Sequence, residues 1–476
     1  MPNAMIRRTK IVATLGPATD KERVLKKVLA AGVDVVRLNY SHGTADDQAK
    51  RAEQVRKAAA ELGRDIGILA DLQGPKIRIE SFKEGPIELA EGQAFALDTA
   101  WPKAEGTSEV VGCAYTDLPR DVATGDTLLL NDGAITMKVD KVGNTRISGT
   151  VLVGGTLSNR KGINRLGGGL SAAALSFKDK IDIREAVALD VDFIAVSFPR
   201  SAADMLEARA LVREAQGNAA LIAKIERAEA LHELHEIIGA SDGVMVARGD
   251  LGVEIGDAEL PGWQKKIILQ AREQNRMVIT ATQMMESMIT SPIPTRAEVL
   301  DVANAVMDGT DAVMLSAETA AGKYPVKVVE AMARVCEGAE RAAPPAERLR
   351  SEGHFERTDE AIAMATTWTA RNMHANAIIA LTESGSTALL MSRTDTRIPI
   401  YALTRHERTR RRMALCRGVY PVEFVPTSIT APIREAVAAL VERKLLQNGD
   451  RVLMTKGDFT GPGGTNEMKI IKVGDA

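Results

Sequence analysis

Hydrophobic and polar positions follow two periodicities along the chain. Short runs rich in Val, Ile and Leu are separated by helix-length segments in which an apolar residue recurs every three or four positions. Runs that are apolar on both faces indicate a parallel sheet covered by helices. Eight runs come first: KIVATLG at 10–16, VDVVRLN at 33–39, DIGILAD at 65–71, VDFIAVS at 191–197, ALIAKIE at 220–226, GVMVARG at 243–249, MVITAT at 277–282 and DAVMLS at 311–316.

Eight strand–helix units predict an α/β fold of the (β/α)8 TIM barrel type, with an open doubly wound sheet as the alternative. Helical periodicity is lost between residue 75 and about residue 170, where short strands alternate with turns, so we expect an inserted all-β lid domain. The predicted divisions are the first part of the barrel domain at 1–74, the inserted β domain at 75–170, the second part of the barrel domain at 171–345, and a C-terminal α/β domain at 346–476.

The C-terminal α/β domain is predicted from a second series of apolar runs. The polar, proline-containing stretch at 342–360 reads as the linker that precedes it. The predicted strands lie at 377–382, 398–404, 422–425, 451–457 and 468–473.

Composition limits which binding partners and which cellular compartment we expect for this protein. The 61 Lys and Arg residues nearly balance the 63 Asp and Glu residues, so we expect no nucleic-acid partner. Cys113, Cys336 and Cys416 lack metal-ligand spacing, which argues against a disulfide framework or a zinc site and favours the cytoplasm. We expect no membrane span, because no apolar run reaches 18 residues.

Polar residues recur where the predicted strands end, and barrel enzymes act at the C-terminal ends of their strands. Taken singly, each such residue could equally be a solvated rim residue or half of a weak ion pair. Taken together, they indicate an active site at this rim. The residues are Arg37, Asn39, Asp71, Lys224, Glu226, Asp250, Thr282 and Ser316.

Lys224 and Glu226 are two positions apart, so they project from the same face of one strand. A simple ion pair would satisfy both. The next strand ends at ARGDLG, however, and brings Asp250 alongside Glu226. Two carboxylates on adjacent strand ends suit Mg²⁺, which takes one or two carboxylates plus substrate oxygens. Lys224 would then stabilise charge on a transferring phosphoryl group or an enolate.

The stretch VVRLNYSHG adds Arg37, a planar donor suited to phosphate, and the oxygen-bearing side chains of Asn39 and Ser41. Together with Asp71, these oxygens suggest a site for a hard cation. The P-loop pattern and the protein-kinase motifs are both missing from the sequence. A bound nucleotide would therefore depend on a metal ion and on scattered basic residues.

These motifs resemble the pyruvate kinase family over essentially the whole chain. The matching stretches are TKIVATLGPAT, VVRLNYSHG, IAKIERAEAL, VMVARGDLGVEI, VITATQMMESM and PTRAEVLDVANAVMDGTDAVMLSAETAAGKYP. The resemblance implies a barrel with a β-domain lid and a C-terminal regulatory domain, usually in a homotetramer. It also implies the last step of glycolysis, in which phosphoenolpyruvate and ADP give pyruvate and ATP.

The resemblance also implies roles for matching residues. Glu226 and Asp250 would hold Mg²⁺, and Lys224 would stabilise the transferring phosphoryl group and the enolate. The remaining implied roles are phosphate binding by Arg37, nucleotide-phosphate binding by Arg78 and Lys161, and binding of the substrate carboxylate by the backbone around Gly249, by Asp250 and by Thr282. Because a threonine hydroxyl is a weak acid, we expect Thr282 to deliver a proton through water, together with Ser316.

The stretch LQGPK at 72–76 departs from the family's potassium-dependent members, which read TKGPE. The sequence keeps Asn39, Ser41 and Asp71 but has Lys76 in place of the acid. We predict that Lys76 serves this monovalent-cation-type site and that K⁺ is not required, as in the potassium-independent branch. The alternative is a solvated turn lysine.

A phosphorylated sugar or nucleotide monophosphate is the expected effector. In LTESGSTA, hydroxyl and backbone N–H groups cluster at a strand-to-helix junction, which suits phosphate, although many relatives have Arg where Ser386 stands. An ordinary helix cap is the alternative. The predicted effector residues are Thr382, Ser384, Gly385, Ser386 and Thr387, and GDFTGPGGTNEMK at 457–469 resembles the family's effector loop.

Two competing functions stay open at this stage. A barrel lyase or aldolase acting on pyruvate-type enolates would share the Mg²⁺ site but would not need ADP. A catalytically silent paralogue would sense metabolites through the C-terminal domain, although the intact set of Lys224, Glu226, Asp250 and Thr282 argues against it.

Overall fold

The computed structural model describes residues 6–343, 355–394, 396–427, 432–457 and 464–475. The first part of the barrel contains β1 (Lys10–Thr14), α1 (Glu22–Ala30), β2 (Val35–Asn39), α2 (Ala45–Leu62) and β3 (Gly67–Asp71). The inserted β domain contains β4 (Ile87–Leu89), β5 (Ala94–Asp98), β6 (Val110–Gly112), α3 (Leu118–Asp121), β7 (Thr127–Leu130), β8 (Ile135–Val142), β9 (Arg146–Val153), β10 (Gly155–Leu157) and β11 (Ile163–Arg165).

The second part of the barrel contains α4 (Phe177–Ala188), β12 (Phe193–Val196), α5 (Ala202–Glu214), β13 (Ala220–Ile225), α6 (Ala228–His232), α7 (Leu234–Ala240), β14 (Gly243–Ala247), α8 (Arg248–Ile255), α9 (Leu260–Glu273), β15 (Met277–Ala281), the 3₁₀-helix Glu286–Ile289, α10 (Arg296–Met307), β16 (Ala312–Leu315), α11 (Ala317–Ala320) and α12 (Pro325–Ala342). The C-terminal domain contains α13 (Thr358–Asn372), β17 (Ala377–Leu381), α14 (Ser386–Ser392), β18 (Ile400–Thr404), α15 (Glu407–Met413), β19 (Val419–Glu423), α16 (Pro432–Glu442), β20 (Arg451–Gly457) and β21 (Thr465–Lys472).

A closed barrel forms the centre of the molecule, with the strands in the order β1-β16-β15-β14-β13-β12-β3-β2 and every pair parallel. All eight predicted barrel strands are present, and the open-sheet alternative is wrong because β1 pairs with both β2 and β16. The barrel interior is filled by fully buried side chains such as Val12, Phe193 and Ile279, so it is a packed core.

Local signals set the helix boundaries. The hydroxyl of Thr44 accepts a hydrogen bond from the Asp47 N–H and the Asp47 carboxylate accepts one from the Thr44 N–H, which starts α2 with a capping box. The same arrangement starts α4 at Ser176 and α10 at Thr295. Gly63 ends α2 in the left-handed conformation, with φ of 60°.

The inserted β domain leaves the barrel after β3 and has a core of its own. It contains a six-stranded sheet in the order β11-β7-β8-β9-β5-β6 and a two-stranded sheet of β10 and β4. Phe95, Leu128 and Met137 are buried between its strands. Because β3 ends toward the C-terminal rim of the barrel, this domain stands at that rim.

The C-terminal sheet has the order β19-β18-β17-β20-β21, with β21 antiparallel to β20. Four of the five predicted strands overlap well, but the run at 422–425 is shifted, because β19 covers Val419–Glu423. The sequence pattern missed the first residues of β19 because Pro421 interrupts the apolar run. A proline is tolerated there since β19 is an edge strand.

The C-terminal domain packs against the N-terminal end of the barrel. The Lys10 Nζ, at the start of β1, donates to the Val419 carbonyl at 2.6 Å, and the Arg411 Nε lies 2.7 Å from the Asp192 Oδ1, just before β12. The barrel therefore has the C-terminal domain at one end and the inserted β domain at the other. The domain divisions at 74/75 and 170/171 stay predictions, and the division at 345/346, most of the predicted linker and the effector-loop stretch 458–463 lie outside the described residues.

Cys113, Cys336 and Cys416 are buried and unpaired with one another. Among the described residues, the helices are all too short or too polar to cross a membrane.

Candidate active site

Lys224 lies at the centre of a charge cluster on the C-terminal rim. Its Nζ lies 2.9 Å from the Glu226 Oε1 and 3.2 Å from the Asp71 Oδ1, and it donates to the Ser197 Oγ at 2.7 Å. Burial works against the charge, but the attraction of Asp71 and Glu226 outweighs it and raises the Lys224 pKa. The side chain is therefore a fixed cation supplied by strand β13.

Glu226 is only 2% exposed, and both of its carboxylate oxygens are engaged. Oε1 faces Lys224, and Oε2 accepts a hydrogen bond from the Phe198 N–H at 2.9 Å. Burial raises the Glu226 pKa; Lys224 opposes that rise and the negative charge of Asp250 adds to it. Glu226 and Asp250 thus repel each other electrostatically, which a shared cation would relieve.

The donor set fits Mg²⁺. Clusters of three or more His, Cys, Asp or Glu residues able to hold a metal are missing from the described part of the chain. If Glu226 and Asp250 held the ion, water and substrate oxygens would take the other coordination positions, which is the usual Mg²⁺ preference.

Arg37 and Asp71 come together across neighbouring strands. The Arg37 Nε donates to the Asp71 Oδ2 at 2.6 Å, and its Nη1 donates to the Thr14 Oγ1 at 3.1 Å. Asn39 pairs in register with Asp71, and its Oδ1 accepts a hydrogen bond from the Ser41 N–H at 3.1 Å. Arg37, Asn39 and Asp71 therefore lie together on neighbouring strands, whereas Ser41 lies on the exposed side of this group.

Lys76 does not serve the oxygen set of Asn39, Ser41 and Asp71, which corrects our expectation. Its Nζ lies 3.0 Å from the Asp250 Oδ1 and 3.4 Å from the Asp132 Oδ1 of the inserted β domain. The two Asp71 oxygens are already held by Arg37 and Lys224. Burial disfavours the Lys76 charge, but these carboxylates raise its pKa, so Lys76 is charged and not a solvated turn residue.

The turn that precedes Lys76 explains why its side chain lies away from the oxygens of Asn39, Ser41 and Asp71. Gly74 has φ of +68°, and its N–H donates to the Asp179 Oδ1 at 3.0 Å. This turn, followed by Pro75, directs the chain away from Asp71 and toward the inserted β domain, where the Lys76 side chain lies beside Gly162.

Thr282 and Gly249 are joined across the ends of β15 and β14. The Gly249 N–H donates to the Thr282 Oγ1 at 2.8 Å, and the Thr282 hydroxyl donates to the Ala281 carbonyl at 2.7 Å. Thr282 has φ of +67°, an uncommon conformation for a β-branched residue. Asp250 follows Gly249 directly, so the three lie next to one another. Ser316 lies at the end of β16, where its N–H donates to the Glu318 Oε2 at 2.6 Å.

Arg78 and Lys161 belong to neighbouring segments of the inserted β domain. Arg78 forms an isolated antiparallel bridge with Gly162, and the Ile79 N–H donates to the Lys161 carbonyl at 2.9 Å. The Arg78 guanidinium donates to the Arg160 carbonyl at 3.0 Å. Two basic residues distant in sequence are thereby placed on one segment pair beside the Lys76 turn.

Sequence reasoning missed two residues that contact this site and one behind it. Ser197 accepts the hydrogen bond from Lys224, Thr14 accepts one from Arg37, and Arg248 contacts the turn at Thr282 from behind. Ser197 and Thr14 also lie at strand ends, so the rule that selected the others could have found them. Arg248 also follows a strand end directly, but that position does not reveal that its side chain is buried behind the site.

The predicted effector residues line a cavity of about 260 Å³ in the C-terminal domain. Thr382, Ser384, Ser386 and Thr387 contribute to its wall, as do Arg405 and Lys456. Gly385 supports the wall from a left-handed conformation, with φ of 86°, and its N–H donates to the Thr382 Oγ1 at 2.9 Å.

A closed parallel barrel with fixed cations and buried carboxylates at its C-terminal rim defines a barrel enzyme, and comparisons with known proteins identify its family. A family profile described as pyruvate kinase, barrel domain, matches residues 6–329, and one described as pyruvate kinase, alpha/beta domain, matches residues 360–471. The chain belongs to the pyruvate kinase family and is a phosphotransferase.

Similar proteins cover nearly the full length. The chain is 54% identical to pyruvate kinase II of Salmonella typhimurium over 98% of this chain and 99% of that protein. It is also 54% identical to a pyruvate kinase of Haemophilus influenzae, over 95% and 96% of the two chains. A crystal structure of a pyruvate kinase from Cryptosporidium parvum, 35% identical, superposes with a TM-score of 0.90 and covers 98% of this chain and 96% of its own.

Proposed function

We propose that the rim cluster transfers the phosphoryl group of phosphoenolpyruvate to ADP with Mg²⁺, giving pyruvate and ATP. The observation that carries the proposal is the Lys224 ammonium held between the Asp71 and Glu226 carboxylates, at 3.2 and 2.9 Å. Such a cation cannot reorganise much during the reaction, and preorganised charge is what stabilises a developing anion. The enzyme mainly positions the reactants and neutralises their charge.

The side chains at the rim divide the work of this reaction. Glu226 and Asp250 would hold Mg²⁺, which would supply positive charge to neutralise the reacting oxygens. Arg37 binds the transferring phosphoryl group, and Lys224 stabilises it and the enolate that it leaves behind. On the nucleotide side, Arg78 and Lys161 bind the phosphates of ADP.

The backbone at Gly249 and the Thr282 hydroxyl bind the substrate carboxylate. Thr282 also orients a water that protonates the enolate. The Thr282 hydroxyl, which already donates to the Ala281 carbonyl, is too weak an acid to protonate carbon by itself, so water is the proton carrier.

The test is pyruvate formation from phosphoenolpyruvate and ADP with Mg²⁺. We expect turnover that stops when ADP is omitted. Formation of pyruvate without ADP would favour the lyase alternative, and a purified chain with no turnover under any of these conditions would favour the silent paralogue.

Turnover is independent of K⁺, because the Lys76 ammonium supplies a positive charge beside Asp250. At about 4 Å and an effective dielectric constant of about 20, one charge stabilises a neighbouring anion by roughly 4 kcal/mol. We expect equal rates when potassium is replaced by tetramethylammonium. A collapse of the rate would overturn this role. Lys76→Gln should lower the rate in both salts, whereas Lys83→Gln on the surface of the same domain should not.

A phosphorylated sugar or nucleotide monophosphate binds the C-terminal cavity and activates the enzyme. Support comes from the hydroxyl groups of Thr382, Ser384 and Ser386 and from the two basic side chains in the cavity wall. We expect such a compound to lower the phosphoenolpyruvate concentration at half-saturation, and Arg405→Ala to weaken that shift. Unchanged saturation curves with every sugar phosphate and nucleotide monophosphate would contradict regulation here.

The active form is a homotetramer located in the cytoplasm. Exposed apolar side chains on and before α10, namely Ile293, Leu300 and Met307, support an interface between subunits. Light scattering after size-exclusion chromatography should give four times 51.0 kDa. A monomeric mass at assay concentration would contradict the assembly.

A further inference from the structure

Arg248 lies at the start of α8, directly before Gly249 and Asp250, yet its side chain points into the protein and the residue is only 6% exposed. Its Nε lies 3.2 Å from the carbonyl oxygens of Ala281 and Thr282. Its Nη2 donates to the Thr282 carbonyl at 2.6 Å and to the Gln283 carbonyl at 3.2 Å. One guanidinium therefore binds three consecutive carbonyl groups.

The turn that Arg248 binds is in a conformation that its residues do not favour. Thr282 and Gln283 have φ of 67° and 54°, and neither is glycine or asparagine. Such consecutive left-handed residues persist only where the surroundings hold them. The three carbonyl groups face one side, and the guanidinium provides the donors that this side requires.

The other edge of the guanidinium is fixed by two helices. The Nη1 donates to the Asp301 Oδ1 of α10 at 2.6 Å and to the Gln264 Oε1 of α9 at 3.4 Å. The planar group is thus held from both sides. A lysine could not reproduce these contacts, because its single ammonium cannot reach both Asp301 and the three carbonyl groups.

On the substrate side, the Gly249 N–H donates to the Thr282 Oγ1 at 2.8 Å. Arg248 is therefore bonded covalently to one partner of this contact and by hydrogen bonds to the other. We infer that Arg248 is a positioning residue, which holds the Thr282 turn so that the Thr282 hydroxyl and the Gly249 backbone act as one unit on the substrate carboxylate and on proton delivery. The inference rests on the roles proposed above for Gly249 and Thr282.

Steady-state kinetics of Arg248→Lys test the inference. Since misplacement by about 1 Å can reduce a rate by about 10²-fold, we expect kcat to fall by at least tenfold. The KM for phosphoenolpyruvate should rise several-fold, whereas the KM for ADP should stay within about twofold because Arg78 and Lys161 are untouched. A merely structural role would reduce the amount of active enzyme and leave both KM values unchanged, which would overturn the inference.

A second readout follows proton transfer alone. Exchange of the methyl hydrogens of pyruvate for deuterium, measured by proton NMR with Mg²⁺ and ATP in D₂O, requires the enolate but no net turnover. We expect Arg248→Lys to slow this exchange per active site by at least tenfold. Exchange at the wild-type rate would overturn the inference.

Asp301→Asn is the milder variant, and it tests the positioning role of Arg248 if Arg248→Lys does not fold. It keeps the guanidinium but loosens its outer edge, so we expect the same changes with a smaller size. The matched control is Arg209→Lys, because Arg209 binds Asp242 and the Ala240 carbonyl at the opposite end of β14. We expect wild-type kinetics for this control. Wild-type kinetics in either Asp301→Asn or Arg248→Lys would contradict the inference.

Thr282→Ala separates this inference from the proposed function. If Thr282→Ala retains full turnover and exchange, the role proposed for Thr282 is wrong and the positioning role is wrong with it. If Thr282→Ala loses activity but Arg248→Lys does not, only the inference about Arg248 is wrong.

Discussion

Lys224 keeps its positive charge at a place where burial disfavours that charge and lowers the pKa. Two carboxylates, of Asp71 and Glu226, lie within 3.2 Å of its Nζ and outweigh the lost hydration. Lys224 is thus held both by Glu226, two positions along at the end of its own strand, and by Asp71 from another strand. Two predictions follow at the scale of the residue.

Lys224→Met should lose about 10²–10³ in kcat, because it removes a preorganised charge from the reacting groups. The fold should persist, since Asp71 keeps its contact with Arg37. Pyruvate formation and the circular dichroism spectrum measure the two effects. Lys57→Met, on an exposed side chain that pairs with Glu22, is the matched control and should retain wild-type activity. A Lys224→Met enzyme with normal turnover would contradict the role of Lys224.

Glu254 should make the protein less stable as the pH rises. Burial, with the charge of Glu229 adding to it, raises the pKa of this carboxyl from 4.5 to about 7, although the Ala228 N–H and Arg227 oppose the rise. The folded protein therefore keeps a proton that the unfolded chain releases near pH 4.5. Stability falls between about pH 4.5 and 7, by about 3 kcal/mol in total.

Thermal unfolding of the wild type and of Glu254→Gln between pH 5 and 8 measures this effect. The wild type should lose more stability than the variant over that interval, because the variant has no proton to release at this position. Parallel curves for the two proteins would contradict the assignment.

At the scale of the element, strand ends and the turns after them place the site. Strand β3 ends at Asp71, and the Gly74 turn separates the barrel from the inserted β domain. An added Cβ at Gly74 would lie 2.6 Å from the Ser197 Cβ and 2.9 Å from the Phe198 Cδ2. Ser197 contacts Lys224 and Phe198 contacts Glu226, so this turn packs directly behind the proposed catalytic cluster.

Gly74→Ala should therefore reduce both stability and activity. The left-handed backbone alone costs roughly 1–2 kcal/mol, and displacement of Ser197 should lower kcat by about tenfold or more. Gly63→Ala is the matched control, because Gly63 has φ of +60° and open space around it. It should lose stability only. Equal kinetics in the two variants would show that the Gly74 turn does not affect the site.

At the scale of the whole molecule, buried ion pairs join the C-terminal domain to the barrel. Asp311, just before β16, is fully buried and is held by Arg393, which follows α14. The Arg393 Nη1 lies 2.9 Å from the Asp311 Oδ2 and also donates to the Arg276 carbonyl at 2.7 Å. Together with Arg411 and Asp192, this pair connects the domain that contains the proposed effector cavity to the start of two barrel strands.

Arg393→Ala should lower the free energy of unfolding by roughly 3–5 kcal/mol, because it leaves the buried Asp311 without its main counter-charge. Urea or thermal unfolding measures the change. Arg120→Ala removes an arginine that is 85% exposed and pairs with Asp117, so it should change stability by less than about 1 kcal/mol. A similar small change in Arg393→Ala would mean that this pair does not stabilise the domain contact.

Sequence patterns were sufficient for the barrel. Its eight strands are short, apolar on both faces and separated by periodic helices, so local periodicity identifies each strand without knowledge of the others. The edge strand β19 was misplaced, because Pro421 interrupts the pattern and only the sheet order shows that it lies at an edge.

The site was predicted as a set of residues, but apart from the Lys224–Glu226 pair its observed ion pairs were not predicted. Residues at strand ends share a rim in any parallel barrel, which is why Arg37, Asp71, Lys224 and Glu226 were found together. The predicted contact of Lys76 with the Asn39, Ser41 and Asp71 oxygens was wrong, because the Gly74 turn directs the Lys76 side chain toward Asp250. The burial of Arg248 depends on helices α9 and α10, which are distant in sequence.

The sequence by itself determined the order of strands and helices, the family, and which charged residues reach the rim, because these depend on local periodicity and residue type. The spacing of Lys224 and Glu226 already allowed that pair, but the tertiary structure alone decided the contacts between different elements: Lys224 with Asp71, Lys76 with Asp250, and Arg248 with the Thr282 turn. Pairing depends on distances of about 3 Å between side chains on different elements, and these distances exist only after the elements have packed.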